Sequence, residues 1–194
     1  MTAEASFQLS HKVNHLRHGQ LLLRCTLISL LVLASACTGL PKGVQPVGNF
    51  ELDRYLGTWY EIARLDHRFE RDLQSVTAEY SLQSDGSVKV VNSGVSAVTG
   101  EKKQAEGKAK FVSEPNLGHL KVSFFGPFYA SYVVFELDRE AYDYAFVSGN
   151  NKKYLWLLAR TPNPSAAVIE RFKSRAAELG FALDELILVD HRDN

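Results

Sequence analysis

The sequence predicts an all-β protein: an eight-stranded antiparallel up-and-down barrel with one C-terminal helix packed outside it and a short final strand. Eight segments alternate apolar and polar residues with the period of two that is typical of half-buried strands. They follow one another at short spacing and are separated by turn-forming residues. Consecutive antiparallel strands with short turns protect their edges by closing into a barrel or by stacking as a sandwich.

The predicted elements follow in chain order. The strands cover residues 60–65, 76–82, 88–91, 107–112, 120–125, 132–137, 145–148 and 154–159. Residues 165–179 carry a single apolar stripe at helical spacing, with Ser165 as an N-terminal cap and Gly180 as the stop, which predicts an amphipathic helix. The apolar run at 185–189 predicts the last strand.

Composition limits the function classes. The 194-residue chain carries 22 basic and 22 acidic side chains, so its formal net charge is zero and its isoelectric point is about 7.0. Such a balance gives no large cationic field, which argues against nucleic acid as a partner. Hydrophobic residues make up 45% of the chain, enough for one well-filled core and too many for a disordered protein.

The N-terminus predicts an export signal. Residues 25–36 are uncharged and apolar, and Arg24 precedes them. The run is shorter than the roughly 20 residues of a membrane-spanning helix, and it ends in small residues, as a signal peptide does before its cleavage site. We therefore divide the chain into a signal peptide at 1–36, a Pro- and Gly-rich tether at 37–48, and a folded domain at 49–194.

The sequence at the predicted cleavage site, Ala34-Ser35-Ala36-Cys37, resembles a bacterial lipobox, in which a cysteine after small residues is acylated and becomes the new N-terminus. This resemblance predicts attachment to a membrane through lipidated Cys37. An ordinary signal peptide that is cut before an unmodified cysteine is the alternative. Cys25 would leave with the signal, so no disulfide can form within the mature chain.

Two motifs resemble those of the lipocalins. Residues 55–64 (YLGTWYEIAR) resemble the opening G-x-W motif, and residues 154–162 (YLWLLARTP) resemble the last barrel strand with its terminal arginine. The whole of residues 49–191 is similar to the bacterial outer-membrane lipocalins, with residues 66–71 and 121–129 particularly close. The resemblance implies a barrel that is lipid-anchored at the outer membrane and faces the periplasm. Thr38, which is not Asp, agrees with outer-membrane sorting in that family.

The resemblance also implies structural roles for Gly57, Trp59 and Arg160. The family's tryptophan closes the bottom of the barrel and its arginine lies across the ring. Here this would place the Arg160 guanidinium on Trp59 in a cation–π contact, worth ~0.5–2 kcal/mol.

Strand alternation predicts which residues face the barrel interior and could line a ligand site. If Trp59 faces inward, parity also turns Glu61 inward, as a buried carboxylate with no identified partner. An eight-stranded barrel can be filled by side chains or can hold one small ligand, so a filled core is the alternative. The predicted ligand-binding residues are Ala63, Val76, Ala78, Tyr80, Val90, Ala109, Phe111, Val122, Phe124, Ala145, Val147, Trp156 and Leu158.

The connections at one end should form the mouth of the barrel. We predict mouth positions at His67, Arg68, Phe128 and Tyr129, where a modest cationic excess surrounds an apolar lip. Such a rim suits an amphiphile with an anionic head. The alternative is that these charged loops are simply solvated.

These observations predict a binding protein for fatty acids or lysophospholipids, for lipid storage or transport in the bacterial envelope. The sequence contains no motif of a nucleophilic, phosphate-binding or metal-dependent enzyme, so we predict no catalysis, no cofactor and no metal. A scaffold lipoprotein that acts through its outer surface is the alternative. The oligomeric state is left open, a homodimer included.

Overall fold

The computed structural model describes residues 38–191. Residues 1–37 and 192–194 lie outside the described part, so the signal peptide and the lipidation of Cys37 stay predictions. Residues 38–191 belong to one compact unit.

Within the described residues, nine antiparallel strands form one sheet, and eight of them close into a barrel. The strands are β1 (Gly57–Leu65), β2 (Leu73–Leu82), β3 (Val88–Ser96), β4 (Lys102–Phe111), β5 (His119–Phe125), β6 (Phe128–Leu137), β7 (Tyr144–Ser148), β8 (Leu155–Ala159) and β9 (Leu186–Leu188). Each strand from β1 to β7 pairs with the next, and β8 pairs with β1. This closure confirms the predicted barrel, and β9 adds to β1 outside it.

The up-and-down order gives the barrel two different ends. The connections 66–72, 97–101, 126–127 and 149–154 lie at one end, which we call the open end. The connections 83–87, 112–118 and 138–143 lie at the other, the closed end, together with the short helix α1 (Leu52–Tyr55).

The helix α2 (Ala166–Glu178) packs against the outside of the barrel, as predicted. Phe172 and Ala176 are buried on its inner face, and the Phe172 ring meets Phe146 of β7 at 5.1 Å between centroids. Gly180 follows the helix with a φ of +75°, the left-handed conformation that favours glycine at a helix end. A 3₁₀ turn (Leu183–Glu185) then leads into β9.

A bulge in β1 changes which side chains face inward. Glu61 pairs with Leu158 and Ala63 pairs with Leu157, so one extra residue stands between them on β1. The prediction that Ala63 faces the interior is wrong, because this shift turns it into the apolar cluster beneath α2. The same shift turns Arg64, which pairs with Trp156, into the barrel.

The segment 38–48 lies along the outer wall of the barrel. Val47 N donates to Val134 O at 2.9 Å, and nearer the open end the Ser131 hydroxyl donates to Gly39 O at 2.8 Å. Both contacts are to β6, so the segment descends the wall from the side of the open end towards the closed end.

Candidate functional site

The closed end of the barrel is plugged by Trp59. Its ring is fully buried, and its Nε1 donates to Tyr55 O at 2.8 Å. The Arg160 guanidinium carbon lies 3.9 Å from the ring centroid, which is the cation–π contact that the sequence predicts. Gly57 has a φ of +89°, a conformation that L side chains rarely adopt, so the turn from α1 into β1 requires glycine there.

Three tyrosine hydroxyls form a chain above the plug. Tyr132 lies in the middle, with its hydroxyl oxygen 2.6 Å from that of Tyr55 and 2.9 Å from that of Tyr80. Burial raises the pKa of all three phenols well above the usual range. These hydroxyls therefore stay protonated, and each has a hydrogen-bond partner among the other two inside an otherwise apolar space.

Most of the predicted ligand-binding residues do face the interior. Val76 is buried, and its Cγ2 lies 3.2 Å from where a Cβ on the inward position Gly94 would stand. Their role in binding stays a prediction. The remaining members belong to the interior apolar cluster: Ala78, Tyr80, Val90, Ala109, Phe111, Val122, Phe124, Ala145, Val147, Trp156 and Leu158.

Exposure of inward positions rises towards the open end. Along β4, Ala109 faces inward and is buried, whereas Ala105 and Lys103 share its face by register and are exposed. On the neighbouring strand β5, Phe124 is only half-buried. On the side of β4 and β5 the upper interior is therefore open to solvent, and its walls are apolar apart from Asn92, Lys103 and the groups described next.

A buried polar cluster, which the sequence analysis did not predict beyond Glu61, lies near the open end. Arg64 is 2% exposed, and its Nη1 donates to Glu61 Oε1 at 2.8 Å. Its Nη2 donates to the backbone carbonyls of Glu70 and Leu73 at 2.8 and 3.1 Å. The Arg64 Nε is buried and has no hydrogen-bond partner within residues 38–191. Glu61 thus has the partner that the sequence left unidentified.

Two further groups complete this cluster. His67 Nε2 lies 3.0 Å from Glu70 Oε2, and the same oxygen accepts from Trp156 Nε1 at 3.1 Å. We call Glu61, Arg64, His67 and Glu70 the polar cluster. The Trp156 hydrogen bond joins it to the apolar wall of the interior.

The two carboxyl groups of the polar cluster titrate in opposite directions. Burial, and then the charge of Glu70, raise the pKa of Glu61 well above its usual range, although Arg64 opposes the shift. Burial also disfavours the charged form of Glu70, but hydrogen bonds from His67 and Trp156 outweigh it and lower its pKa. The Glu70 carboxylate therefore carries the negative charge, and Glu61 tends to hold a proton.

The predicted mouth residues differ in exposure. Arg68 and Phe128 are exposed, while Tyr129 is half-buried with the Lys121 ammonium 5.3 Å from its ring centroid. His67, in contrast, is buried, because it stacks on Phe69 at 4.1 Å between centroids and pairs with Glu70. It therefore belongs to the wall below the mouth and not to the solvated rim.

Within residues 38–191, no group of three or more His, Cys, Asp or Glu side chains is placed to hold a metal ion. No helix in the same part of the chain is long and apolar enough to cross a membrane.

Comparison with known proteins agrees with this architecture. The chain is 56% identical over 166 residues to the outer membrane lipoprotein Blc of Vibrio cholerae, covering 86% of this chain and 97% of that protein. It is 50% identical over 161 residues to the outer membrane lipoprotein Blc of Escherichia coli K12, covering 83% and 90%.

The solved structure of insecticyanin from the tobacco hornworm Manduca sexta matches with a TM-score of 0.61 and 23% identity, covering 78% of this chain and 86% of that one. At this identity the likeness shows the fold alone. Residues 50–191 match the family described as the lipocalin-like domain. The chain therefore belongs to the lipocalin family and, within it, to the bacterial outer-membrane lipocalins.

Proposed function

We propose that this lipocalin binds single-chain amphiphiles, fatty acids or lysophospholipids, inside the barrel and stores or carries them in the bacterial envelope. One observation carries the proposal: the interior is apolar and aromatic, closed at Trp59, and increasingly accessible towards the open end, where Phe124 is half-buried and Ala105 is exposed. The proposal assigns the chain a binding role and no chemical step.

Burial of the acyl chain supplies the affinity. A chain of about 16 carbons has roughly 14 methylenes to bury, each worth ~0.8 kcal/mol, or about 11 kcal/mol gross. Lost translational freedom and chain ordering cost an estimated 4 kcal/mol or more, which leaves at most about 7 kcal/mol from the acyl chain, a dissociation constant on the order of 10 μM. A single eight-stranded barrel has room for one small ligand, which favours one acyl chain over two.

Cations near the open end would receive an anionic head. Lys103 faces inward by register and is exposed, and the Nε of buried Arg64 has no partner within the described residues. Either group could hydrogen-bond a carboxylate or phosphate oxygen. We expect the head to add specificity that weakens with salt, because the site is open to solvent.

We further propose that Cys37 is lipidated and holds the barrel on the periplasmic side of the outer membrane. The similarity to outer membrane lipoproteins supports this. One acyl chain binds membranes only marginally, whereas two or more anchor stably. Cys37→Ser should therefore leave the protein uncleaved or soluble. The anchor would be contradicted if wild-type protein were recovered in the soluble fraction without detergent and carried no lipid mass.

The ligand is tested by native mass spectrometry of protein extracted from membranes, followed by titration of the delipidated chain with palmitate and lysophosphatidylethanolamine. We expect a co-purifying single-chain lipid and saturable binding, with a diacyl phospholipid binding more weakly. If no single-chain lipid co-purifies and none saturates below ~100 μM, where methylene burial predicts binding, the scaffold alternative is favoured.

A further inference from the structure

The three tyrosine hydroxyls above the plug carry one proton more than they can use among themselves. We call Tyr55, Tyr80 and Tyr132 the tyrosine chain. Tyr132 contacts the other two, so three hydroxyl groups share two hydrogen bonds. Each hydroxyl has one proton to donate. Whichever way the two bonds run, one proton, which we call the spare proton, has no acceptor within residues 38–191.

A spare proton at this place requires a partner. Tyr55 and Tyr80 are 2% and 8% exposed, and the cluster around them is apolar. Ionisation does not remove the proton, because burial raises the pKa of all three phenols well above the usual range. Buried donors in proteins are nearly always hydrogen-bonded, since an unpaired one loses the bond that it makes in water. The acceptor is therefore a bound water or an atom of a ligand.

The accessible interior reaches down to the tyrosine chain along β6. Val134 is fully buried, Tyr132 is half-buried and Ala130 is exposed. Tyr132 and Ala130 face the interior, because they pair with Leu120 and Val122 of the same interior cluster. Exposure along this row therefore begins at Tyr132 and increases towards the open end. A ligand that lies along β6 thus reaches the middle member of the tyrosine chain.

A second unpaired polar atom lies on the wall nearer the open end. Asn92 faces the interior on β3, where it pairs with Ala78. Its Oδ1 is buried and has no hydrogen-bond partner within residues 38–191. It is two positions, or about 7 Å along β3, from Val90, which pairs with Tyr80. The interior thus offers two unused polar groups to one ligand, the spare proton and the Asn92 amide.

The acceptor that fits the spare proton is a neutral oxygen. A carboxylate or phosphate at this depth would be a buried charge, which is costly unless a cation pairs with it. Arg160, the cation whose charge acts on Tyr55, already donates to three backbone carbonyls of the plug. A hydroxyl or keto oxygen accepts the proton and brings no charge.

We propose that the tyrosine chain is a ligand subsite that selects single-chain amphiphiles whose acyl chain carries a neutral oxygen, a hydroxyl or keto group, well below the ionic head. The inference rests on the proposed function, because it takes the barrel interior as the ligand site and the open end as the place of the head. It adds the chemical class of the acyl chain, and it assigns the selection to Tyr55, Tyr80 and Tyr132.

The selection arises from a hydrogen bond that an unsubstituted acyl chain does not supply. A plain chain that lies against Tyr132 displaces water from the tyrosine chain and leaves the spare proton unpaired. Displacing an ordered water by a group that cannot reproduce its hydrogen bonds lowers affinity. An oxygen on the chain replaces the water as acceptor, so the oxygenated chain keeps both the apolar burial and the hydrogen bond.

Strand geometry sets where on the acyl chain the oxygen belongs. Tyr132 lies four positions from Phe128 at the open end of β6, which is about 13 Å along the strand. With the head at the open end, an oxygen next to the head stays far above the tyrosine chain. An oxygen near the middle of a long acyl chain reaches it. The two cases are represented by 3-hydroxystearate and 12-hydroxystearate.

Titration with three matched acids tests the subsite. The full chain, freed of bound lipid, is titrated with stearate, 3-hydroxystearate and 12-hydroxystearate, and quenching of Trp156 in the interior wall gives each dissociation constant. We expect 12-hydroxystearate to bind about fivefold more tightly than stearate, the effect of one net hydrogen bond. We expect 3-hydroxystearate to stay within about twofold of stearate. Equal constants for stearate and 12-hydroxystearate would assign the spare proton to a bound water and overturn the proposal.

A triple variant removes the donor and keeps the shape of the floor. One or two Tyr→Phe changes would still leave a proton without an acceptor, so Tyr55→Phe, Tyr80→Phe and Tyr132→Phe are combined. Replacing all partners of a buried network by apolar groups of the same shape is nearly neutral for stability. The hydroxyl of 12-hydroxystearate is then buried without a partner, so stearate should bind more tightly. A preference for 12-hydroxystearate that survives in this variant would overturn the proposal.

Tyr144→Phe is the matched control. It makes the same substitution at a half-buried tyrosine that packs against the outer cluster beneath α2, and it should keep the wild-type preference. Loss of the preference in this control would show that the effect does not come from the tyrosine chain. The comparison of the three acids in wild-type protein needs no variant, so it decides the question even if the triple variant does not fold.

Failure of the proposed function and failure of the subsite give different results. If none of the three acids saturates, the interior does not bind single-chain amphiphiles and both proposals fall. If all three saturate with equal constants, only the subsite falls. Stearyl alcohol, whose one oxygen is a neutral head, tests the orientation, and we expect it to bind more weakly than 12-hydroxystearate. Tighter binding that is lost in the triple variant would place the head at the tyrosine chain and overturn the assignment.

Discussion

The guanidinium carbon of Arg160 lies 3.9 Å from the centroid of the fully buried Trp59 ring, which joins the end of β8 to the start of β1. The same guanidinium donates to the carbonyls of Arg54, Leu56 and Thr58 at 2.7, 2.9 and 2.8 Å. Arg160 therefore fixes the turn from α1 into β1 as well as the ring, and the closed end depends on both residues.

Trp59→Ala should open a void at the closed end and lower the free energy of unfolding by ~3–5 kcal/mol. Trp59→Phe, which keeps part of the volume, should cost less. The urea midpoint of each variant measures the effect. A Trp59→Ala protein that unfolds at the wild-type midpoint would show that this residue does not close the barrel.

Arg160→Ala should cost less than Trp59→Ala, because the three carbonyls that lose their donor lie near the surface, where water can replace it. We expect ~1–3 kcal/mol from the lost hydrogen bonds and the cation–π contact together. Arg160→Lys should recover part of this, since an ammonium keeps the charge but not the planar fork. The Trp59 emission maximum should shift to the red in Arg160→Ala, and an unchanged spectrum would argue against the contact.

The barrel and its helix could be predicted because apolar residues repeat along each segment with the period of the strand or helix that it forms. The longest strand segments that the prediction missed are residues 92–96 of β3 and 102–106 of β4. There Asn92 and Gly94 face inward but are not bulky apolar residues, and Ala105 faces an interior that is open to water. Alternation of hydrophobicity requires one dry face, and over residues 102–106 of β4 neither face is dry.

The polar cluster could not be predicted because it depends on one extra residue in β1. Strict alternation from Trp59 places Ala63 inward and Arg64 outward, and the bulge after Glu61 reverses both. No feature of the sequence marks the bulge. The spacing of Glu61 and Arg64 would fit an ion pair on a helix, but on a regular strand these residues face opposite sides.

Glu61→Gln should change how stability depends on pH. The folded-state pKa of Glu61 is raised, so the folded protein holds a proton that the unfolded chain releases near its usual pKa of 4.5. The wild-type protein therefore loses stability as the pH rises from 4.5 through the folded-state pKa of Glu61. Glutamine cannot ionise, so the variant avoids this loss. The variant should gain stability relative to wild type over that window, measured by urea midpoints at several pH values.

Glu70→Gln is the matched control and should act in the opposite direction. The folded-state pKa of Glu70 is lowered, so its contribution is present above its usual pKa and disappears as the pH falls through the lowered value. The variant should be less stable than wild type at neutral pH and approach it in acid. Parallel pH profiles for both variants and wild type would contradict the assignment of charge within the polar cluster.

Arg64→Met should be strongly destabilising at neutral pH. The substitution keeps much of the apolar stem, but it leaves the buried carboxyl of Glu61 and the carbonyls of Glu70 and Leu73 without their donor. Each buried acceptor that is left without its donor costs ~1–3 kcal/mol. Adding Glu61→Gln should recover part of the loss in a double-mutant cycle. Additive effects of the two changes would show that the 2.8 Å contact carries no coupling.

The adjacent residues Phe124 and Phe125 offer the sharpest test of the ligand site, because one belongs to the interior cluster and the other is exposed. The Phe124 ring lies 2.9 Å from where a Cβ of Gly107 would stand, so it occupies the space that the absent side chain leaves on the neighbouring strand β4. Phe124→Glu puts a carboxylate into the path of an acyl chain, where an unpaired charge is costly to bury.

We expect Phe124→Glu to weaken palmitate binding by about 100-fold or more, which corresponds to ~2.7 kcal/mol. Phe125→Glu adds the same charge one residue away and should leave the dissociation constant of the delipidated protein within about threefold. Quenching of Trp156 on titration is the readout, since Trp156 lies in the interior wall and Trp59 is buried in the plug. If both variants lost palmitate affinity equally, the charge would act through the open end in general. If both kept the wild-type affinity, the acyl chain would not pass Phe124.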